Sequence, residues 1–76
     1  MKFPIVNMRK TGQNICILRT ERGISVRDLS RMMGFSTPQA IYKWQHGRSL
    51  PTVDNLVALA AIFAVPIDAI LAIDAA

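Results

Sequence analysis

A chain of 76 residues is one domain near the lower size limit for folding without a staple. A single Cys16 and a single His46 exclude both an internal disulfide and a structural zinc site, so packed helices must carry the stability. All nine Lys and Arg lie in residues 1–48 against Glu21 and Asp28, a formal +7, whereas residues 49–76 carry Asp54, Asp68 and Asp74 and no base, a formal −3. Such segregation suggests a polyanion on one side of the molecule and a protein on the other, although a solvated charged face in a chain this short would also fit. A hydrophobic fraction of 51% leaves apolar surface over for a partner. No run of roughly 18 apolar residues is present to span a membrane, and the first residues are too short for a signal peptide, so a cytoplasmic protein is expected.

Taken in order, the chain predicts an all-α fold of five helices in one domain, residues 8–76, preceded by an extended arm, residues 1–7. The arm contains Pro4 and β-branched residues without helical period. It would pack Phe3 and Ile5 on the domain, reach toward a polyanion with Lys2, Arg9 and Lys10, or simply fray. A first helix spans about 8–22 and stops at Gly23, with Ile15 and Leu18 inward; Cys16, lacking a base or metal partner, reads as a small core hydrophobe. Ser25 caps a second helix, with Asp28 three residues on to return the bond, and Leu29, Met32 and Met33 follow at helical spacing. Gly34 ends it, because glycine enters the left-handed conformation without steric cost. Ser36 or Thr37 caps a third helix of about 37–46, in which Ile41 and Trp44 form one apolar stripe and Gln39, Ala40, Tyr42 and Lys43 lie largely off it. Gly47 closes that helix, and Phe35 plugs the space beneath the turn. Thr52 caps a fourth helix to about Phe63, with Val53, Leu56, Leu59, Ala60 and Phe63 buried and Leu50 stapling its start. A fifth helix runs from about 65 to 72; Ile67 and Leu71 suit the core, leaving Ile70 and Ile73 as surplus.

Two short helices around a Gly turn, the second polar on its outer side, form the helix-turn-helix arrangement. The chain resembles the lambda-repressor-like (Xre-type) family of small bacterial and phage DNA-binding regulators. The resemblance runs through Gly12, Ile15, Leu18, Arg19, Gly23, Ser25, Leu29, Gly34, Ile41, Trp44, Gly47, Pro51, Leu56, Val65, Asp68 and Leu71. It departs from the family at Val26, where Gln is usual, and at Gln45, where Glu is frequent; six residues rather than five separate Gly34 from Ile41. By the resemblance, Arg19 pairs with the residue at 45, here as a charge-assisted hydrogen bond to Gln45. Ser30 stands where only small residues fit between helices two and three.

The resemblance implies a sequence-specific, repressor-like regulator of double-stranded DNA that inserts helix three in the major groove. Gln39 is the best base reader, since its amide bonds adenine bidentately; Thr37, Ala40, Tyr42 and Lys43 are the others, Ala40 through a methyl contact alone. Lys10, Ser25, Arg27, Arg48, Ser49 and Thr52 would hold phosphates. No cofactor or metal is implied. The alternative is a protein-interaction module, such as an antitoxin or an antirepressor partner, that uses the apolar C-terminal tail. An enzyme is disfavoured: there is no Gly-rich phosphate loop and no Cys–His or Ser–His–Asp set, and His46 reads as a cap on the negative end of helix three. A lone domain reads about half a turn of duplex, so two copies are expected to pair weakly. Ile70 and Ile73 are the candidate dimer interface, unless both fold back on the domain and copies pair only on DNA.

Overall fold

The computed structural model describes residues 2–75; Met1 and Ala76, the outer ends of the expected arm and domain, lie outside the described residues. The order of elements is β1 (Pro4–Val6), α1 (Met8–Glu21), α2 (Val26–Met32), α3 (Gln39–Gln45), α4 (Val53–Phe63), a 3₁₀ turn (Ile67–Ala69) and β2 (Ile73–Ala75). The fold is thus mostly helical with four α-helices and a two-stranded ribbon, not the five helices expected.

Helix boundaries follow local chemistry. The Asn7 side-chain oxygen accepts from the Lys10 N–H at 2.9 Å and starts α1. Ser25 accepts from Asp28 N–H at 3.0 Å and Thr52 from Asn55 N–H at 3.3 Å, capping α2 and α4 as their positions imply. Asp28 does not close a reciprocal cap; its carboxylate lies 3.9 Å from Arg31. Gly34 turns the chain at φ +75°, and the Phe35 N–H then bonds back to the Ser30 carbonyl at 2.9 Å.

The core is Ile15, Leu29, Ile41, Trp44, Leu56, Leu59, Phe63 and Ile70, with Phe35 set edge-on against Trp44 at 5.9 Å. Val53, expected inside, is out at 74% exposed; Met32, at helical spacing after Leu29, is 59% exposed. Val53 is the first residue of α4, before the helix has met the body, and the stripe begins a turn later at Leu56.

The largest correction is at the C-terminus. Helix five is a single 3₁₀ turn, after which the chain extends into β2 and pairs antiparallel with β1, in register Pro4 with Ala75, Ile5 with Asp74 and Val6 with Ile73. Side chains of α1 take the backbone groups that a helix there would have used internally. Asn14 donates to the Ile70 carbonyl at 3.0 Å, and the Thr11 hydroxyl accepts from the Ala72 N–H at 3.0 Å. Asn7 adds a side-chain bond to Asp74 at 2.8 Å and a backbone N–H bond to Ala72 at 2.7 Å. The apolar assignment inverts with the backbone. Ile70 is 0% exposed and fills the core, Ile67 and Leu71 are half-buried, and Ile73 is exposed on the ribbon. Ile70 therefore offers no dimer surface.

Candidate nucleic-acid interface

The helix expected to read DNA is seated by one glycine and one arginine. Gly12, buried in the middle of α1, lies so close to α3 that a Cβ there would collide with the Trp44 carbonyl. Arg19, one turn further along α1 than Ile15, donates from Nε to Gln45 Oε1 at 3.0 Å, from Nη1 to the Ile24 carbonyl at 2.8 Å and from Nη2 toward Cys16 Sγ at 3.7 Å. One guanidinium thus ties α1 to the last residue of α3 and to the loop before α2, and the expected Arg19–Gln45 bond is present. At the other end, the Ser30 hydroxyl donates to the Thr37 carbonyl at 3.0 Å. That bond absorbs the extra residue between Gly34 and Ile41: residues 36–38 form a bend, and α3 begins only at Gln39. Neither Ser36 nor Thr37 caps it; Pro38 takes the capping position without a side-chain bond.

With Ile41 and Trp44 buried against α1 and α2, the opposite side of α3 faces solvent. Thr37, Gln39, Tyr42 and Lys43 are exposed there, whereas Ala40 is half-buried and packs on the core. Thr37, Gln39, Ala40 and Lys43 line an open concavity of about 630 Å³, closed on one side by Phe35 and Ser36 and on another by Ser49. Tyr42 stands outside it, its ring stacked on that of His46.

The expected phosphate binders lie on separate elements. Arg27 and Arg48 are exposed and Ser49 is half-buried at the concavity rim. Ser25 and Thr52 spend an oxygen lone pair on their helix caps, which leaves each hydroxyl proton available for an outside acceptor. Lys10 is exposed in the first turn of α1. Two further bases bear on this face: Arg31, which reasoning from the sequence misses, and Arg9, which it places only with the N-terminal arm. Arg31, one turn after Arg27, lines a smaller depression of about 330 Å³ with Arg27, Ser36 and Pro38. Arg9 lies beside the end of α3, where a Cβ on Gly47 would come within 3.0 Å of its Cα. The i, i+4 spacing of Arg27 and Arg31 is a signal that could have found Arg31; the approach of Arg9 to Gly47 depends on tertiary packing. No acidic residue occurs between Asp28 and Asp54, so the turn after α2, α3 and the loop that follows it carry no carboxylate.

The geometry has counterparts among solved structures. The restriction-modification controller protein C.AhdI from Aeromonas hydrophila superposes with a TM-score of 0.75 at 22% identity, over 83% of this chain and 94% of that one. The BldD DNA-binding domain from S. venezulae gives 0.73 at 21% identity, over 87% and 97%. Apo-HppE gives 0.78 at 18% identity, but this chain corresponds to 36% of it. At these identities the likeness shows the fold. Among curated proteins, none matches the sequence. A family model described as helix-turn-helix matches residues 17–70, most of the chain and all of α2, α3 and α4. The chain belongs to the helix-turn-helix family of DNA-binding regulators, of the Xre or lambda-repressor-like type.

Proposed function

We propose that this protein is a sequence-specific, double-stranded DNA-binding transcription regulator of repressor-like action, which lays α3 in the major groove. The observation that carries the reading is the contrast within α3. Its inner side is fixed by Gly12, Arg19 and Ser30, while exposed Gln39 and Lys43 line an open concavity on the other side. A major groove about 12 Å wide admits one helix, and an amide and an ammonium on a firmly seated helix suit its base edges. In this reading Gln39 reads adenine, Lys43 reaches guanine or a neighbouring phosphate, and Thr37 and Tyr42 contact bases at the flanks. Ala40 has little left to offer beyond a methyl edge. Lys10, Ser25, Arg27, Arg48, Ser49 and Thr52 hold the two backbones and set the register, with Arg9 and Arg31 adding charge.

Useful discrimination takes two half-sites about one helical turn apart, so two copies act together. The surface available for weak pairing at the C-terminal segment is Ile73, which is exposed beside Val6 on the ribbon. A protein-interaction role through that segment loses much of its support, since Ile70 is inside.

Salt dependence tests the reading. With several phosphates neutralised, log K for a duplex should fall with log salt by about 0.9 per phosphate. Absence of duplex binding at ~50 mM salt, or an affinity indifferent to salt, contradicts it.

A further inference from the structure

The sequence assigns His46 to the end of α3 and gives it a capping role, but the structure puts its ring elsewhere. The cap is made by backbone: the His46 N–H donates to the Tyr42 carbonyl at 3.0 Å and the Gly47 N–H to the Trp44 carbonyl at 3.1 Å. The imidazole instead stacks on Tyr42, one turn back, with ring centroids 6.3 Å apart and planes inclined by 16°. It has no hydrogen bond to any other described residue, and it is exposed. Its direction follows from helix geometry. At about 100° per residue, Gln39 and His46 are seven apart and differ by only about 20°, so both point almost directly away from the Ile41–Trp44 side. Tyr42 and Lys43 flank that line. Whatever Gln39 faces at one end of α3, His46 faces two turns along, about 10 Å further.

The charged residues that sequence and contacts place near the end of α3 are bases. Lys43 is on its own helix, Arg48 is two residues on, Arg9 of α1 abuts Gly47, and Arg19 of α1 is bonded to Gln45. Among the described residues the carboxylates in ion pairs are Glu21 with Arg22 and Asp28 with Arg31, on α1 and α2. Nothing anionic on α3, or on the loop after it, stands ready to balance an imidazolium. A duplex docked on this face supplies that counter-charge.

We propose that His46 is a proton-linked duplex contact: its imidazole takes a proton from solvent as DNA docks on α3, and a ring N–H donates to an acceptor on the duplex. The acceptor is a phosphate oxygen or the N7/O6 edge of guanine, both of which favour a charged donor. Tyr42 holds the ring at the attitude this contact needs. The inference rests on the reading of α3 as the groove helix and adds to it a coupling between binding and pH.

Duplex affinity measured at constant ionic strength for the wild type and H46Q tests it, with a random and a selected duplex as probes. The wild type should bind about fivefold more tightly near pH 5.5 than near pH 7.5, and the folded H46Q protein should lose that gain. Because the chain has one histidine, its imidazole proton resonances are unambiguous; they should titrate at higher pH with saturating duplex than without. A gain shared by both duplexes assigns the acceptor to phosphate, and a gain confined to the selected duplex assigns it to a base edge. Equal pH dependence in the two proteins, or an imidazole titration unmoved by duplex, overturns the inference while leaving the groove reading intact. A wild type that binds neither duplex at any pH overturns both.

Discussion

The outer face of α3 and the chain after α4 are treated oppositely by the rest of the molecule. On α3, the inner contacts fix the helix, and the polar side chains of Gln39, Tyr42 and Lys43 make no hydrogen bond to another described residue. After α4, the Asn14 and Thr11 side chains of α1 and the backbone N–H of Asn7 bond the tail's backbone, and Ile70 lies in the core. The first region is held rigid so that its polar groups can be satisfied from outside; the second is satisfied from within. Buried polar atoms are paired throughout the described residues, so this contrast does not reflect loose packing.

The comparison breaks most severely at Gly12. Gly12→Ala places a methyl against the Trp44 carbonyl, backbone that cannot yield without moving α3 away from α1. A loss of about 3 kcal/mol or more is expected by thermal or denaturant unfolding, with duplex binding lost in parallel. Unchanged stability would show that α1 does not seat α3 in this way.

At the other end, Ile70→Asp and Ile73→Asp separate interior from surface within the same short segment. Burying a carboxylate at Ile70 should cost about 3 kcal/mol or more. At Ile73, on the exposed ribbon, stability should move by roughly 0.5 kcal/mol or less. Sedimentation of the Ile73→Asp protein reads out any weak pairing at that ribbon; equal stability losses at the two sites would contradict the inverted packing.

A finer cut falls on the bond between the two regions' common support and α3. Gln45→Glu turns the Arg19 bond into an ion pair, half-buried, whose Coulomb gain competes with desolvation. A double-mutant cycle with Arg19→Ala should give a coupling of about 1 kcal/mol. A coupling near zero would mean that the guanidinium holds Ile24 and Cys16 alone.

The local signals of this fold are legible in the sequence because each acts within four or five residues. Ser25 and Thr52 cap helices because their hydroxyls reach the N–H three positions on, and Gly34 and Gly47 stop helices because their conformation is set by their own φ. The Ile41 and Trp44 stripe also reads directly, and with it the outward placement of Gln39 and Lys43. The ribbon does not, because it is decided by partners 56 to 67 residues away in sequence. An apolar tail with helical spacing becomes a strand once α1 offers a hydroxyl and two amides to it. The start of α3 escapes for a related reason: the Thr37 carbonyl is taken by Ser30, and the helix yields two residues to the bend. The place of the His46 ring is hidden too, because capping is a backbone role here and the ring is free to lie on Tyr42.

The central claim is that α3 specifies and its basic surround positions, and one paired measurement addresses it directly. Duplexes selected by the wild type from a random pool supply the preferred site, and affinities for that site and for random duplex are then compared across Gln39→Ala and Arg48→Ala. Gln39→Ala should cost about 1–3 kcal/mol on the preferred site and little on random DNA. Arg48→Ala should weaken both alike and lower the salt slope by about one unit. If Gln39→Ala leaves the ratio of the two affinities unchanged, Gln39 does not read the groove, and the account of α3 as the specifying helix is contradicted at its first residue.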